Sequence, residues 1–245
     1  MANYKNILNV EEVSSTNVYL CSLLNAETPP NILVVSAEFQ TAGKGQHGNV
    51  WHSERGKNLL CSHAVFPEKL PVNEQFILSQ IVALALRKTM QSYDIEAHIK
   101  WANDIYVGDK KIAGILIETH ILGNFISNAV VGIGLNINEI EFPSWIPNPI
   151  SMAQCSGVLF NKHEVLEQYL QYFEEYFARI AHKKELHEEY LSALYKYRTP
   201  AKFSDTSGEF RGSIVGVESD GKLRIQHENG EIRRYYFKEV RFVMC

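Results

Sequence analysis

The sequence is short of the residues that staple, bridge or anchor a chain. Its four cysteines, Cys21, Cys61, Cys155 and Cys245, form no Cys-x-x-Cys pair and share no metal-knuckle spacing. That argues against a disulfide scaffold or zinc module and for reduced, core-filling thiols. The nine histidines make no His-Glu-x-x-His, so a zinc hydrolase is not expected. There is no basic excess: Lys and Arg number 24 against 28 Asp and Glu, for a net charge of -4. Proteins that hold nucleic acid electrostatically show the reverse. No window approaches the ~18 to 20 apolar residues of a membrane span. Met1 to Val10 has no apolar stretch long enough for a signal peptide, so a cytoplasmic location is expected. Repeats and low-complexity tracts are missing too. What remains is a chain of 245 residues, 45% hydrophobic and 21% charged, enough to bury a core without cross-links.

The pattern alternates strands and helices. Ile7 to Val13 reads as a short strand. Ser14-Ser15-Thr16-Asn17 then offers cap residues before an amphipathic run, Val18 to Leu24, stopped by Pro29-Pro30. The apolar run Ile32 to Val35 reads as a buried central strand, and Asn58 to Phe66 as another. Asn73 to Tyr93 has helical spacing with Asn73 as a candidate cap. After His98 to Trp101, the strands Ile105 to Val107 and Lys110 to Glu118 are joined by the Gly-first turn Gly108-Asp109. Ala129 to Asn136 reads as a further strand, and Asn161 to Ala181 and Lys184 to Tyr197 as helices. From Pro200 onward, short strands alternate with Asp220-Gly221 and Asn229-Gly230 turns. The expectation is an α/β body, residues 1–197, with a small β unit, residues 198–245.

Three segments carry chemistry, and each has a plain structural alternative. Gly43-Lys44-Gly45-Gln46-His47-Gly48 matches the spacing Gly-x-Gly-x-x-Gly, but it runs through Trp51 toward a strand. A dinucleotide fingerprint needs a helix there, a Walker A loop needs Ser or Thr after Gly-Lys, and a kinase needs further segments that are missing. Its glycines nevertheless let backbone N–H groups approach an anion, with Lys44 adding a mobile charge; the alternative is a mobile surface loop. The second segment is Lys100-Trp101-Ala102-Asn103-Asp104, leading to Lys111-Ile112-Ala113-Gly114-Ile115-Leu116. A lysine beside Trp101 in a strand calls for an anionic partner, and Gly114 inside a strand marks a close approach to the backbone. The alternative is a charged, solvated hairpin, accepted here for Lys110. In the third, Gly132-Ile133-Gly134-Leu135-Asn136, two glycines in an apolar strand make room for something, or mark a bulge.

In this order, together with Ser15-Thr16-Asn17 and with Gln40-Thr41-Ala42 before the glycine loop, these segments resemble biotin–protein ligases over roughly residues 8 to 245. The resemblance implies a catalytic body related to class II aminoacyl-tRNA synthetases, with a mixed sheet flanked by helices, and a C-terminal SH3-like barrel. Fourteen residues precede Ser15, too few for the family's helix-turn-helix repressor domain, so a ligase-only form that binds no DNA is implied. Two departures stand out. Ala102 replaces the usual proline, and Gln46 and His47 take positions where relatives usually carry arginine.

The implied reaction uses ATP, Mg²⁺ and biotin. The biotin carboxylate attacks the α-phosphate, pyrophosphate leaves, and a lysine of a biotin carboxyl carrier protein then takes the acyl group. The resemblance assigns Lys111 and Lys44 as catalytic cations. It places biotin against Ser15, Thr16, Asn17, Gln40, Lys44, Gly45, Gln46, Lys111 and Gly114, with Gly114 letting the tail or carboxylate lie close to the backbone. It places the nucleotide against Gly43 to Gly48, Trp51, Lys100, Asn103, Asp104, Lys111 and Asn136. The glycine loop is expected to be mobile and to order over the adenylate. The metal ligands and a homodimer stay open. Lipoate–protein ligase is the nearest alternative. A non-catalytic module built on the C-terminal barrel, with Arg233, Arg234, Lys238 and Arg241 among Tyr235, Tyr236 and Phe237, is the alternative of another class.

Overall fold

The structure is a computed structural model and describes Tyr4, residues 6–26 and residues 33–243. The Pro29-Pro30 stop, the Ile32 end of the predicted strand, Cys245 and the His47 side chain lie outside the described residues.

The body is a mixed sheet. Its strands are β1 (Ile7–Val13), β2 (Val34–Gln40), β3 (Leu59–Val65), β4 (Leu70–Pro71), β5 (His98–Lys100), β6 (Asp104–Val107), β7 (Lys110–Leu122) and β8 (Phe125–Leu135). The spatial order is β1-β2-β3-β8-β7-β6-β5, with β4 pairing β8. Only β1 and β2 run parallel; the other pairs are antiparallel. Helix α1 (Thr16–Leu24) covers one face, seating Leu20 against Val35, Ala64 and Val130. Helices α2 (Phe76–Ser92) and α4 (Lys162–Phe177) cover the other, where Leu59, Cys61, Val131 and Ile133 join the main core. The period-2 alternation of strands decides this split. Odd positions of β3 and β8 face the two long helices. Even positions, Ser62, Gly132 and Gly134, face the side of α1.

Helix ends depart from the sequence pattern. Asn73 does not cap α2; a 3₁₀ turn at Val72–Glu74 intervenes and Gln75 takes the cap position without a side-chain bond. Asn161 does cap α4, accepting from the His163 N–H at 3.0 Å. That helix and α5 (Lys183–Ser192) are shorter than their apolar periodicity suggests. Short α3 (Met152–Ser156), which the periodicity does not reveal, opens on a Ser151–Gln154 capping box.

The C-terminal strands, β9 (Pro200–Asp205), β10 (Gly208–Val217), β11 (Leu223–His227), β12 (Ile232–Tyr235) and β13 (Arg241–Phe242), form a second, antiparallel sheet in the order β12-β11-β10-β9-β13. It is docked on the body: the Trp101 indole N–H donates to the Gly221 carbonyl at 2.8 Å, and Phe237 packs edge-on against the Trp101 ring. Several basic residues of this sheet pair with nearby acids, Arg233 with Glu231 and both Arg224 and Arg234 with Glu218, while Tyr235 is buried. That arrangement speaks against a cationic, aromatic nucleic-acid surface. Among the described residues, no helix is long and apolar enough to cross a membrane.

Candidate functional site

A cleft opens over the even-numbered face of β7 and β8, roofed by the start of α1 and the loop after β2. Its floor is almost free of side chains because Gly114 of β7 and Gly134 of β8 sit opposite one another in register, with Gly132 next along the same face. A Cβ on Gly134 would come within 2.7 Å of Trp51 Cδ2, and one on Gly114 within 2.8 Å of Trp51 Cζ3. The Trp51 indole therefore lies flat on the glycine pair, and its Nε1, buried, finds no hydrogen-bond partner. A Cβ on Gly132 would meet the Asn17 amide, 2.9 Å from Cγ. The close approach expected at these glycines is thus made by the protein's own side chains, including Lys111 Nζ, 3.2 Å from the Cβ position of Gly114.

Lys111 is the cation over the glycine floor of the cleft. Its Nζ lies 2.6 Å from Asp104 Oδ1 and 5.3 Å from the centre of the Trp51 ring. Backbone bonds fix it from both sides: its N–H donates to the Asn148 carbonyl at 2.7 Å, and its carbonyl accepts from Ile150 N at 3.0 Å. Asn103 donates to the Ile115 carbonyl at 2.9 Å, tying the turn before β6 to β7.

Across the cleft is a polar wall. Gln40 Oε1 accepts from the Thr16 backbone N–H at 2.7 Å and lies 3.0 Å from the Thr16 hydroxyl. Behind them, the buried Ser62 hydroxyl is 2.7 Å from Thr16 Oγ1 and 2.6 Å from Asn17 Oδ1. Asn17 Nδ2 in turn donates to Glu118 at 2.7 Å. The glycine loop closes on itself through Gly45 N to Asn49 O, 2.7 Å, and Trp51 N to Gly43 O, 3.0 Å. Lys44, opposite Val50 at the base of the loop, is exposed and makes no ion pair among the described residues.

The structure brings Ser15, Thr16, Asn17, Gln40, Lys44, Gly45, Gln46, Trp51, Asn103, Asp104, Lys111 and Gly114 into the lining of this one cleft. Other expected residues lie outside it. Asn136 is buried, and its Nδ2 donates to the Ile150 carbonyl at 3.1 Å, so it braces the segment that holds Lys111. Lys100 lies in an adjoining cleft against the C-terminal sheet, its Nζ bonded to the Tyr106 hydroxyl at 2.8 Å. Burial lowers its pKa, opposed by the Asp104 carboxylate. Gly43 stands behind the wall under the Trp51 carbonyl, and Gly48 is at the loop's turn with open space around it.

Sequence reasoning missed Ser62, Glu118, Asn49, Phe237 and a buried brace at Glu139. Glu139 accepts from the Glu54 N–H at 3.1 Å and from the Asn58 amide, fastening the chain after Trp51 to the end of β8. Among the described residues, no group of three His, Cys, Asp or Glu side chains can hold a metal, and Asp104 is the carboxylate in the cleft lining. Such a donor set fits a Mg²⁺ carried in on a nucleotide triphosphate, which keeps most of its waters, and not a protein-caged ion.

Residues 10–136 match the model of the biotin/lipoate A/B protein ligase family. The bifunctional ligase/repressor BirA of Salmonella typhimurium is 31% identical over 253 residues, covering 96% of this chain and 73% of its own. The biotin--[acetyl-CoA-carboxylase] ligase of Mycobacterium tuberculosis is 27% identical over 218 residues, covering 86% and 78%. A solved structure of the biotin protein ligase from Aquifex aeolicus in complex with biotin and ATP superimposes with a TM-score of 0.79 at 25% identity, covering 98% of this chain and 100% of that one.

Proposed function

The chain belongs to the biotin/lipoate A/B protein ligase family, and from that membership we propose that its cleft activates biotin with ATP and passes it to a lysine of a biotin carboxyl carrier protein. The observation that carries this is the placement of Lys111 on the glycine floor opposite the Thr16–Gln40 wall. A greasy floor with a few fixed polar groups suits a ligand with a polar head and an apolar ring and tail.

In the first step a carboxylate oxygen attacks the α-phosphorus of ATP, the bond to the β-phosphate oxygen breaks, and pyrophosphate leaves. In the second, the acceptor amine attacks the carbonyl carbon of the acyl-adenylate, loses a proton, and expels AMP. Both steps gather negative charge near phosphorus, so positioned positive charge lowers both barriers. Lys111, held by Asp104 and by backbone bonds on each side, is pre-set for the shared oxygen between carboxylate and α-phosphate. Lys44 approaches from the loop. The unpartnered Trp51 Nε1 supports a role for that ring beside the ligand, since a buried unpaired donor costs about 1–3 kcal/mol until an acceptor arrives. Magnesium, bound with ATP, supplies charge neutralisation of the triphosphate. The division into a catalytic body, 1–197, and a C-terminal unit, 198–245, is supported by the start of β9 at Pro200. A cytoplasmic setting is supported by the unpaired thiols of Cys21, Cys61 and Cys155.

The family also holds lipoate ligases; the hydrogen-bonding wall favours biotin, whose head is a cyclic urea, over a dithiolane. The test is acid-dependent ATP–pyrophosphate exchange with Mg²⁺, comparing biotin, lipoate and octanoate. Exchange with biotin alone is expected, and its loss by about a hundredfold or more in a folded Lys111→Ala variant. Exchange with lipoate and not biotin, or with none of the acids, overturns the reading.

A further inference from the structure

We propose that Glu118 and Ser62, neither of which lines the cleft, are positioning residues that set the hydrogen-bond polarity of its head-group wall and so select a head carrying an N–H beside a C=O. This rests on the biotin reading above. The argument follows the protons. Asn17 Nδ2 points at the Glu118 carboxylate, 2.7 Å, and toward the Leu116 carbonyl, 3.4 Å. Both are acceptors, so the amide cannot be the other way round, and Asn17 Oδ1 must be the atom facing Ser62 at 2.6 Å. That oxygen only accepts, so the single Ser62 proton goes to it.

Ser62 Oγ is also 2.7 Å from Thr16 Oγ1, and with its own proton spent it can only accept there. The one Thr16 hydroxyl proton is therefore held inward, between Ser62 Oγ and Gln40 Oε1 at 3.0 Å. Toward the cleft Thr16 is left with lone pairs alone. Gln40 is fixed in the opposite sense: a backbone N–H, which can only donate, holds Oε1 at 2.7 Å, so the donors of Nε2 are what remains for a ligand. The wall presents an acceptor next to a donor. A cyclic urea, with N–H next to C=O, complements it; a dithiolane offers no N–H. Asn17 and Ser62 are buried at 2% and 0% exposure, so water does not compete for these bonds. Gly132 is part of the device, because any Cβ there would push the Asn17 amide off this line.

Glu118→Gln tests this at constant shape. A glutamine amide can donate, which lets Asn17 turn over, hand Ser62 an N–H and send the Ser62 proton onto Thr16, blocking one of its lone pairs. In pyrophosphate exchange, KM for biotin is expected to rise about tenfold, the effect of roughly one hydrogen bond, with kcat and KM for ATP within about twofold. The second readout is the handicap of biotin methylated at either urea nitrogen. In the wild-type chain, methylating the nitrogen that meets Thr16 raises KM steeply, and in Glu118→Gln that handicap shrinks about tenfold. Ser62→Ala, which removes the link itself, is expected to behave alike. An unchanged KM for biotin, an unchanged methylation handicap, or a fall in kcat and ATP affinity to match overturns the proposal, and so does failure of both variants to fold. A wild-type chain inactive with biotin would instead remove the biotin reading, and this proposal with it.

Discussion

The glycines of the β7–β8 floor and the glycine at the turn of the loop above it serve opposite purposes. On the β7–β8 floor, Gly114, Gly132 and Gly134 have extended backbones that any residue adopts; what they provide is the missing Cβ, and the space is filled by Trp51, Lys111 and Asn17. In the loop above, Gly48 has φ +82° with nothing within 4 Å of a would-be Cβ; what it provides is an angle. Floor glycines are therefore steric and coupled to residues far away in sequence, while the turn glycine is conformational and local. Space in a packed interior is hard to return, whereas a strained φ at an exposed turn is absorbed nearby.

The floor is where the larger penalty belongs. Gly134→Val drives a branched side chain into the Trp51 ring, which lies on the floor while the Trp51 backbone N–H is tied to the Gly43 carbonyl at 3.0 Å. Overpacking of this kind is expected to cost about 3 kcal/mol in urea unfolding and to abolish biotin-dependent exchange. Adding Trp51→Ala is expected to recover most of the stability but not the activity, because the two sites share one volume. A well-folded, active Gly134→Val chain would show that Trp51 does not need the floor.

The contrast sharpens on the neighbouring strand β3, whose consecutive residues look to opposite sides. Ser62 faces the cleft wall. His63 faces the long helices, fully buried, with Nε2 2.8 Å from the Tyr169 hydroxyl and its ring against Phe173. Burial holds its pKa down at about 3, against 6.5 when exposed. Its folded pKa is depressed, so the unfolded chain binds the extra proton more readily. Stability from this site is complete above about pH 6.5 and falls by about 1.4 kcal/mol for each unit below it, down toward pH 3. Between pH 6.5 and 5 the loss is about 2 kcal/mol, and His63→Gln is expected to flatten that part of the stability–pH curve while leaving biotin KM near wild type. An unchanged slope would mean that His63 is not the group being titrated.

This division also explains what could be read from the residues alone. Lys111, Thr16, Gln40 and Trp51 were legible because their chemistry is carried by short ordered segments. The strand glycines were legible as room for something, yet the occupants were not, because Asn17 and Trp51 lie 115 and 83 positions before Gly132 and Gly134 and only the sheet register brings them there. Ser62 and Glu118 were missed although a signal existed. Ser62 is the lone hydroxyl of its strand and faces α1, and Glu118 shares the parity of Gly114, so both had to point toward the cleft side. Asn136 is expected from the sequence as a ligand contact, and its Nδ2 donates to the Ile150 carbonyl at 3.1 Å. Helix ends failed where a 3₁₀ turn replaced a side-chain cap, as at Asn73.

The smallest effect is expected at the turn itself. Gly48→Ala meets no neighbouring atom, so there is no clash to relieve and no volume to share. What it meets is the backbone angle: at φ +82° an alanine is disfavoured by about 1 kcal/mol, and the Gln46–Gly48 turn will give way before the sheet does. Global stability in urea is expected to fall by no more than about 1 kcal/mol, with no coupling to Trp51→Ala. The change is expected instead in the loop, as faster proteolytic cleavage between Gly43 and Asn49 in the free chain. If the loop orders over bound adenylate, saturation with a non-hydrolysable adenylate analogue will restore protection in both wild type and variant. A loss of several kcal/mol, or coupling to Trp51 as strong as that of Gly134, would move Gly48 into the same class as the floor glycines and erase the distinction between space and angle.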